Sequence, residues 1–262
     1  MKRALSLFAM GLLCLISLPV CAEELIKIGY FPNKPFIYPN EATGKPQGAV
    51  VKYLEAVAEK MGYAVEWIGP LPLVRYATAL KEGTVDVAAF IVKLPETEEL
   101  VYYSDQPLGL PRPVLIVRKD SPLTQITSID DVKGLRIGWY VNISPSKFVQ
   151  EHIESFQMDY MPLAENAGLQ SLEKLLLGRV DALHELNAYS LPFLAAEHGL
   201  LDQIKVLPLP EPANSTYVGF SKTAPRGRML LEQFNAAQAA LGFTPEVYTQ
   251  FIQEEFDAIA KP

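Results

Sequence analysis

The sequence predicts an α/β protein of two lobes, each a central, mainly parallel sheet flanked by helices, joined by a two-crossing hinge. Three observations carry this prediction. First, residues 80–88 (LKEGTVDVA) and 175–183 (LLLGRVDAL) share one local grammar. In each, a helical apolar pattern stops at a Gly (Gly83, Gly178), and a Val-containing run follows with an Asp at the same offset (Asp86, Asp181). The lead-in strands match too, Leu25 to Tyr30 against Leu135 to Tyr140. Second, the N-terminal part alternates β-α-β-α-β, which implies a parallel sheet with helices on its faces. Third, Pro107, Pro111 and Pro113, and later Pro208, Pro210 and Pro212, break the pattern and mark a crossing between lobes and a return.

Taken in order, 25–30 reads as a strand. Residues 49–61 read as a helix with Val50, Leu54, Val57 and Met61 on one face and Gly62 as the stop. Strands at 63–68 and 85–90 flank a helix at 73–81. Beyond the first crossing, 114–117 is a strand, 128–131 a helical turn and 135–139 a strand. Ser144-Pro145 reads as a helix start, with Ser as cap and Pro at the first position. Leu169, Leu172 and Leu176 mark a helix before a strand at 180–183. After the return come a strand at 217–221, a helix started by Thr223 and Pro225, and a last helix started by Thr244-Pro245. That last helix has Tyr248, Ile252, Phe256 and Ile259 on one face.

Residues 1–22 read as a signal peptide, with Lys2 and Arg3 before an apolar run from Ala4 to Val20 and a small-residue cleavage site at Val20-Cys21-Ala22. Cys14 and Cys21 both lie in that segment, so 23–262 carries no cysteine for disulfide or thiolate chemistry. Export without cysteine fits a periplasmic location. No later apolar stretch reaches membrane-spanning length. Removing Lys2 and Arg3 from the 23 basic residues leaves 21 against 30 acidic ones, a formal charge of −9. That balance argues against a nucleic-acid partner, whose phosphates need basic patches. His152, His184 and His198 lack metal-ligand spacing, and neither a nucleophile elbow nor a phosphate-cradling Gly loop is present. No metal and no cofactor is expected.

At this point the chain resembles a known family. The stretches IKIGYFPNKPF (26–36), GYAVEWIGPLPLVRYATALKEGTVDVAAF (62–90), VYYSDQPL (101–108), VLIVRKDSPL (114–123), SIDDVKGLRIGWY (128–140) and LEKLLLGRVDAL (172–183) are similar to family 3 periplasmic solute-binding proteins of amino-acid ABC importers. The resemblance implies a two-lobed periplasmic-binding-protein-like fold, with 23–110 and 213–262 as a discontinuous lobe 1 and 111–212 as lobe 2. It implies a monomer that captures a small polar solute, an amino acid or related carboxylate, and delivers it to an ABC permease in the inner membrane. A dehydratase-like enzyme on the same scaffold, with His184 or Glu185 as acid or base, and a soluble sensor module are the alternative functions.

The chain departs from the family at two ligand-reading positions. The family's Thr-Pro-Glu-Arg, whose Arg clamps a carboxylate bidentately, is Leu94-Pro95-Glu96-Thr97 here, so Thr97 stands at the Arg position. The family's ammonium-binding acid, five residues after the Asp of the Gly-x-Val-Asp unit, is Leu186, with Glu185 one residue earlier. The candidate ligand-binding set is therefore broad. Tyr30, Phe31, Phe36 and Phe90 supply aromatic walls. Arg75, Lys93, Thr97 and Glu185 are the polar substitutes for the missing clamps. Tyr140 ends the matching strand of the second lobe, and Asn142 and Ser144 follow it in the loop that the family uses for its ligand.

Overall fold

The computed structural model describes residues 24–162 and 166–259. The expected signal peptide, 1–22, lies outside them. The first half runs β1 (Leu25–Gly29), a small ribbon of β2 (Tyr38–Pro39) and β3 (Pro46–Gln47), α1 (Ala49–Met61), β4 (Ala64–Ile68), α2 (Leu73–Glu82), β5 (Val87–Val92), the one-turn α3 (Pro95–Glu98) and β6 (Val101–Tyr103). The second sheet opens with β7 (Val114–Arg118) and continues through β8 (Arg136–Tyr140), α4 (Lys147–Glu151), β9 (Gln157–Met161), α5 (Ala167–Leu176), β10 (Ala182–Glu185), α6 (Ser190–Glu197) and β11 (Ile204–Pro208). The chain then returns to the first sheet through β12 (Thr216–Ser221) and ends in α7 (Gly227–Leu241) and α8 (Pro245–Ile259).

The two sheets are built alike. The first has the order β4-β1-β5-β12-β6 and the second β9-β8-β10-β7-β11. Each joins three parallel strands to two antiparallel ones. The register repeats as well: Ile28 and Gly29 pair with Val87 and Ala88, as Ile137 and Gly138 pair with Ala182 and Leu183. The duplicated Asp fixes that register. Asp86 accepts from the Lys27 N–H at 3.0 Å and donates its own N–H to the Lys27 carbonyl at 2.9 Å. Asp181 does the same with Arg136, at 2.9 and 2.8 Å. Each carboxylate is also held by a guanidinium, Arg226 for Asp86 and Arg136 itself for Asp181.

Helices cover both faces of the second sheet, so its strands are buried on both sides. Val114 and Ile116 of β7 face one core, and Leu115 and Val117 the other. Helix α1 buries Val50, Leu54 and Val57 and stops at Gly62, whose φ of 82° suits a residue without a Cβ.

Two helix starts differ from the sequence reading. Ser144 does not cap a helix; α4 begins at Lys147 after Ser146 and is five residues long. The Ser146 N–H is drawn to His184 instead, which holds Pro145 and Ser146 outside the helix. Likewise α7 begins at Gly227, because the Ser221 hydroxyl accepts from the N–H groups of Thr223 and Ala224 and holds that stretch as a turn.

The two halves touch directly along α6. Phe193, only 1% exposed, lies 6.1 Å from the ring of Tyr38 and 5.2 Å from that of Phe256. Beside it Lys34 pairs with Glu197 at 2.6 Å, and the Ser190 hydroxyl donates to Asn33 Oδ1 at 3.1 Å. Among the described residues no helix is long and apolar enough to cross a membrane.

Candidate functional site

A cavity of about 700 Å³ lies between the two sheets. In open α/β sheets ligands sit beyond the carboxyl ends of the strands, and this cavity follows that rule twice. Phe31 follows β1, and Val92 and Leu94 end and follow β5. On the opposite side Ser144 follows β8, and Leu186 and Asn187 follow β10. These four strands are the paired equivalents of the two sheets. The crossing segments add Gly109, Leu110 and Pro111 on one side and Asn214 and Thr216 on the other, and α8 adds Tyr248 and Ile252.

Four expected site residues meet here: Phe31, Phe36, Phe90 and Ser144. The aromatic wall is continuous. Phe31 lies 4.9 Å from Phe90, Phe90 6.1 Å from Phe36, and Phe36 stacks on Tyr248 at 6.3 Å. Tyr140 and Glu185 meet instead in an adjoining pocket of about 380 Å³, which shares Asn33, Leu186 and Asn187 with the cavity. Burial alone pushes the Glu185 carboxyl up to about 8, so it is largely protonated at neutral pH.

The other expected residues lie apart from the cavity lining. Tyr30 is buried in the first core, edge-on to Trp67 at 6.0 Å. Arg75 is exposed on α2. Lys93 is exposed, its ammonium 5.6 Å above the Tyr103 ring and 3.9 Å from Glu98. Asn142 is exposed in a left-handed turn with φ 62°, a conformation Asn tolerates better than most residues. The Thr97 hydroxyl is occupied locally. It accepts from the Leu94 N–H at 3.0 Å and sits 2.8 Å from the Val92 carbonyl oxygen and 2.6 Å from the Tyr103 hydroxyl.

His184 is buried under the loop that carries Ser144. Its Nε2 accepts from the Ser146 N–H at 3.0 Å, which leaves Nδ1–H to donate to the Val114 carbonyl at 3.2 Å. Burial pushes its pKa down to about 4, so it is a neutral strut with both nitrogens in use. Ser146 is among the lining residues, and its hydroxyl is buried without a hydrogen-bond partner. Among the described residues no group of three His, Cys, Asp or Glu side chains is arranged to hold a metal ion.

The sequence reading missed Leu73, Val92, Leu94, Leu110, Ser146, Tyr189, Tyr248 and Ile252. The strand-end rule could have drawn out 92–94. Tyr248 and Ile252 were visible only as the apolar face of a helix, which does not separate core from cavity wall.

The fold has many relatives of known structure. An amino-acid ABC transporter substrate-binding protein, AbpA from Streptococcus pneumoniae, bound to L-arginine, is 19% identical, with 91% of this chain and 97% of that one covered at a TM-score of 0.65. Substrate-binding domain 2 of Lactococcus lactis GlnP, in an open conformation, is 17% identical over 89% and 96%, with a TM-score of 0.68. The periplasmic VFT2 domain of Bordetella pertussis BvgS is 15% identical over 88% and 92%, with a TM-score of 0.67. At these identities the likeness establishes the two-lobed fold. No curated protein matches the chain by sequence. Residues 26–254, nearly all of the described chain, match the family of bacterial extracellular solute-binding proteins, family 3, and the chain belongs to that family.

Proposed function

We propose that this chain is a periplasmic binding protein that captures a small solute by hinge closure and hands it to an ABC permease in the inner membrane. In this reading residues 23–110 and 213–262 form one lobe, 111–212 form the other, and the protein acts as a monomer. The observation that carries it is the cavity itself, walled by equivalent strand ends of both sheets and backed by both crossings. Its size falls in the range usual for small-molecule sites. The latch around Phe193 gives closure a defined set of contacts to make and break. A binding role also accounts for His184 better than catalysis does, since neither ring nitrogen is free to move a proton.

The test is small-angle scattering of the purified protein with and without periplasmic extract depleted of macromolecules, paired with native mass spectrometry. A bound species under about 500 Da together with a smaller radius of gyration supports the reading. A radius that no extract changes, with no bound mass, sinks it.

A further inference from the structure

The cavity lacks the family's charged clamp at both of its ligand-reading positions. The carboxylate-clamp position is Thr97, outside the lining and hydrogen-bonded to its own loop. The ammonium position is Leu186, one of the lining residues. Among the described residues the charged ones in the lining are Lys147 and Glu246, both exposed, and Lys147 lies 3.7 Å from Glu151. An α-amino acid would find neither of the family's clamps here, and the neutral amide and hydroxyl groups of Asn33, Ser144, Asn187, Asn214 and Thr216 in the lining do not replace an opposite charge at either of its ends.

The apolar surface is placed where a ligand of the opposite character would use it. Leu73, Val92, Leu94 and Leu110 are four of the large apolar side chains left exposed among the described residues, and all four line this cavity. Leu73 is 64% exposed. Exposed apolar side chains gathered around one concave site mark a binding surface. Polar handles are present in Asn33 and Asn214 of the same lining.

We propose that the solute is an uncharged molecule with an apolar body of ring size or larger and at least one hydrogen-bonding group, and not a zwitterionic amino acid. This rests on the cavity being the binding site and names the chemistry it selects. Leu186 and the aromatic wall take the apolar body, and Asn33 and Asn214 take the polar group.

The test is a fluorescence titration of the purified protein with N-phenyl-1-naphthylamine, a neutral apolar probe, beside thermal unfolding in about 1 mM arginine, glutamine or leucine. The expected result is saturable one-site probe binding and an unchanged Tm with each amino acid. Leu186→Glu should weaken the probe about tenfold or more, because a carboxylate would have to be buried beside it. Leu73→Glu, exposed at the first residue of α2 where an acid suits the helix, covers the case in which Leu186→Glu fails to fold. An amino acid that raises Tm by several degrees would overturn the inference and leave the cavity as the site. Probe binding that neither variant weakens would overturn the cavity as the site and the inference with it. Absence of probe binding would overturn the inference, and the scattering experiment would still decide the broader reading.

Discussion

The Nε2 atom of His184 accepts the Ser146 N–H at 3.0 Å, and this bond ties the cavity loop after β8 to the middle of the second sheet. Trp139 lies over the imidazole at 4.5 Å and helps to keep it dry. The folded pKa, near 4, is below the unfolded value of about 6.5, so protons bind the unfolded chain more readily. The contribution of His184 is therefore complete above pH 6.5 and lost as pH falls toward 4. His184→Leu should cost about 1–3 kcal/mol at pH 7 by orphaning the Ser146 N–H and the Val114 carbonyl. It should also close the stability gap to the wild type progressively between pH 6.5 and 4. Urea unfolding across that range measures both, and a gap that stays constant with pH would count against the neutral strut.

Glu185 acts in the opposite sense. Its folded pKa, near 8, is above the unfolded value, and no ion pair reaches its carboxyl among the described residues. From about pH 4.5 to 8 the unfolded state gives up the proton and the folded state keeps it, so stability falls as pH rises through that window. Glu185→Gln should remove this loss and stabilise the protein by about 1–3 kcal/mol at pH 8, with little effect at pH 4.5. The difference between wild-type and variant melting temperatures, followed from pH 4.5 to 9, isolates this group from His184, whose effect has the reverse sign.

The paired Asp residues predict matched stability losses. Each bonds the backbone N–H at the same place in its sheet, Lys27 or Arg136, and each is met by a guanidinium. The Arg136 guanidinium also holds the Asp181 carboxyl below the usual carboxylate range. Asp86→Ala and Asp181→Ala should each cost about 1.5–3 kcal/mol. Asp86→Ala should cost more, because its carboxylate is the better buried of the two. Denaturant midpoints of the two variants test this directly.

This duplication is also the part of the fold most legible in the sequence. A helix end at Gly, a Val-containing run and an Asp at a fixed offset are local signals, and in both lobes the chain satisfies them locally. The site was less legible for a physical reason. Strand ends deliver Phe31, Phe90 and Ser144 by position alone, and these were readable. Much of the rest of the wall comes from crossing segments and from α8, whose approach to the cleft depends on how two lobes dock. Nothing in the spacing of Tyr248 and Ile252 records that docking. Arg75 and Lys93 were plausible from charge, but neither helix phase nor loop length turns them into the cavity.

Gly48 supports that wall from behind. Its φ is 118°, and a Cβ there would come within 2.5 Å of the Phe36 carbonyl oxygen and 2.7 Å of the Pro35 carbonyl oxygen. Both contacts are with backbone, so no side chain can swing away. Gly48→Ala should destabilise by about 2 kcal/mol or more. It should also weaken binding of the neutral probe by shifting Phe36. Calorimetry and probe titration of the same sample separate it from a variant that only loses stability.

Phe193 gives the last prediction, because its burial depends on the two halves staying together. The ring is carried by α6, yet its aromatic neighbours Tyr38 and Phe256 belong to β2 and α8. In an isolated core, truncating a fully buried Phe costs about 3–5 kcal/mol. Here part of that energy stabilises closure rather than the fold of either half. Phe193→Ala should therefore cost less than the core value in unfolding and should shift the lobes toward an open arrangement. The neutral probe should bind more weakly in proportion to the fraction of closed molecules lost. Lys34→Ala, which removes a half-exposed ion pair to Glu197, should produce a smaller shift of the same sign. Scattering of the ligand-free variants measures the opening. An unchanged radius of gyration combined with the full core penalty would make the Phe193 contact part of a fixed interface instead of a latch.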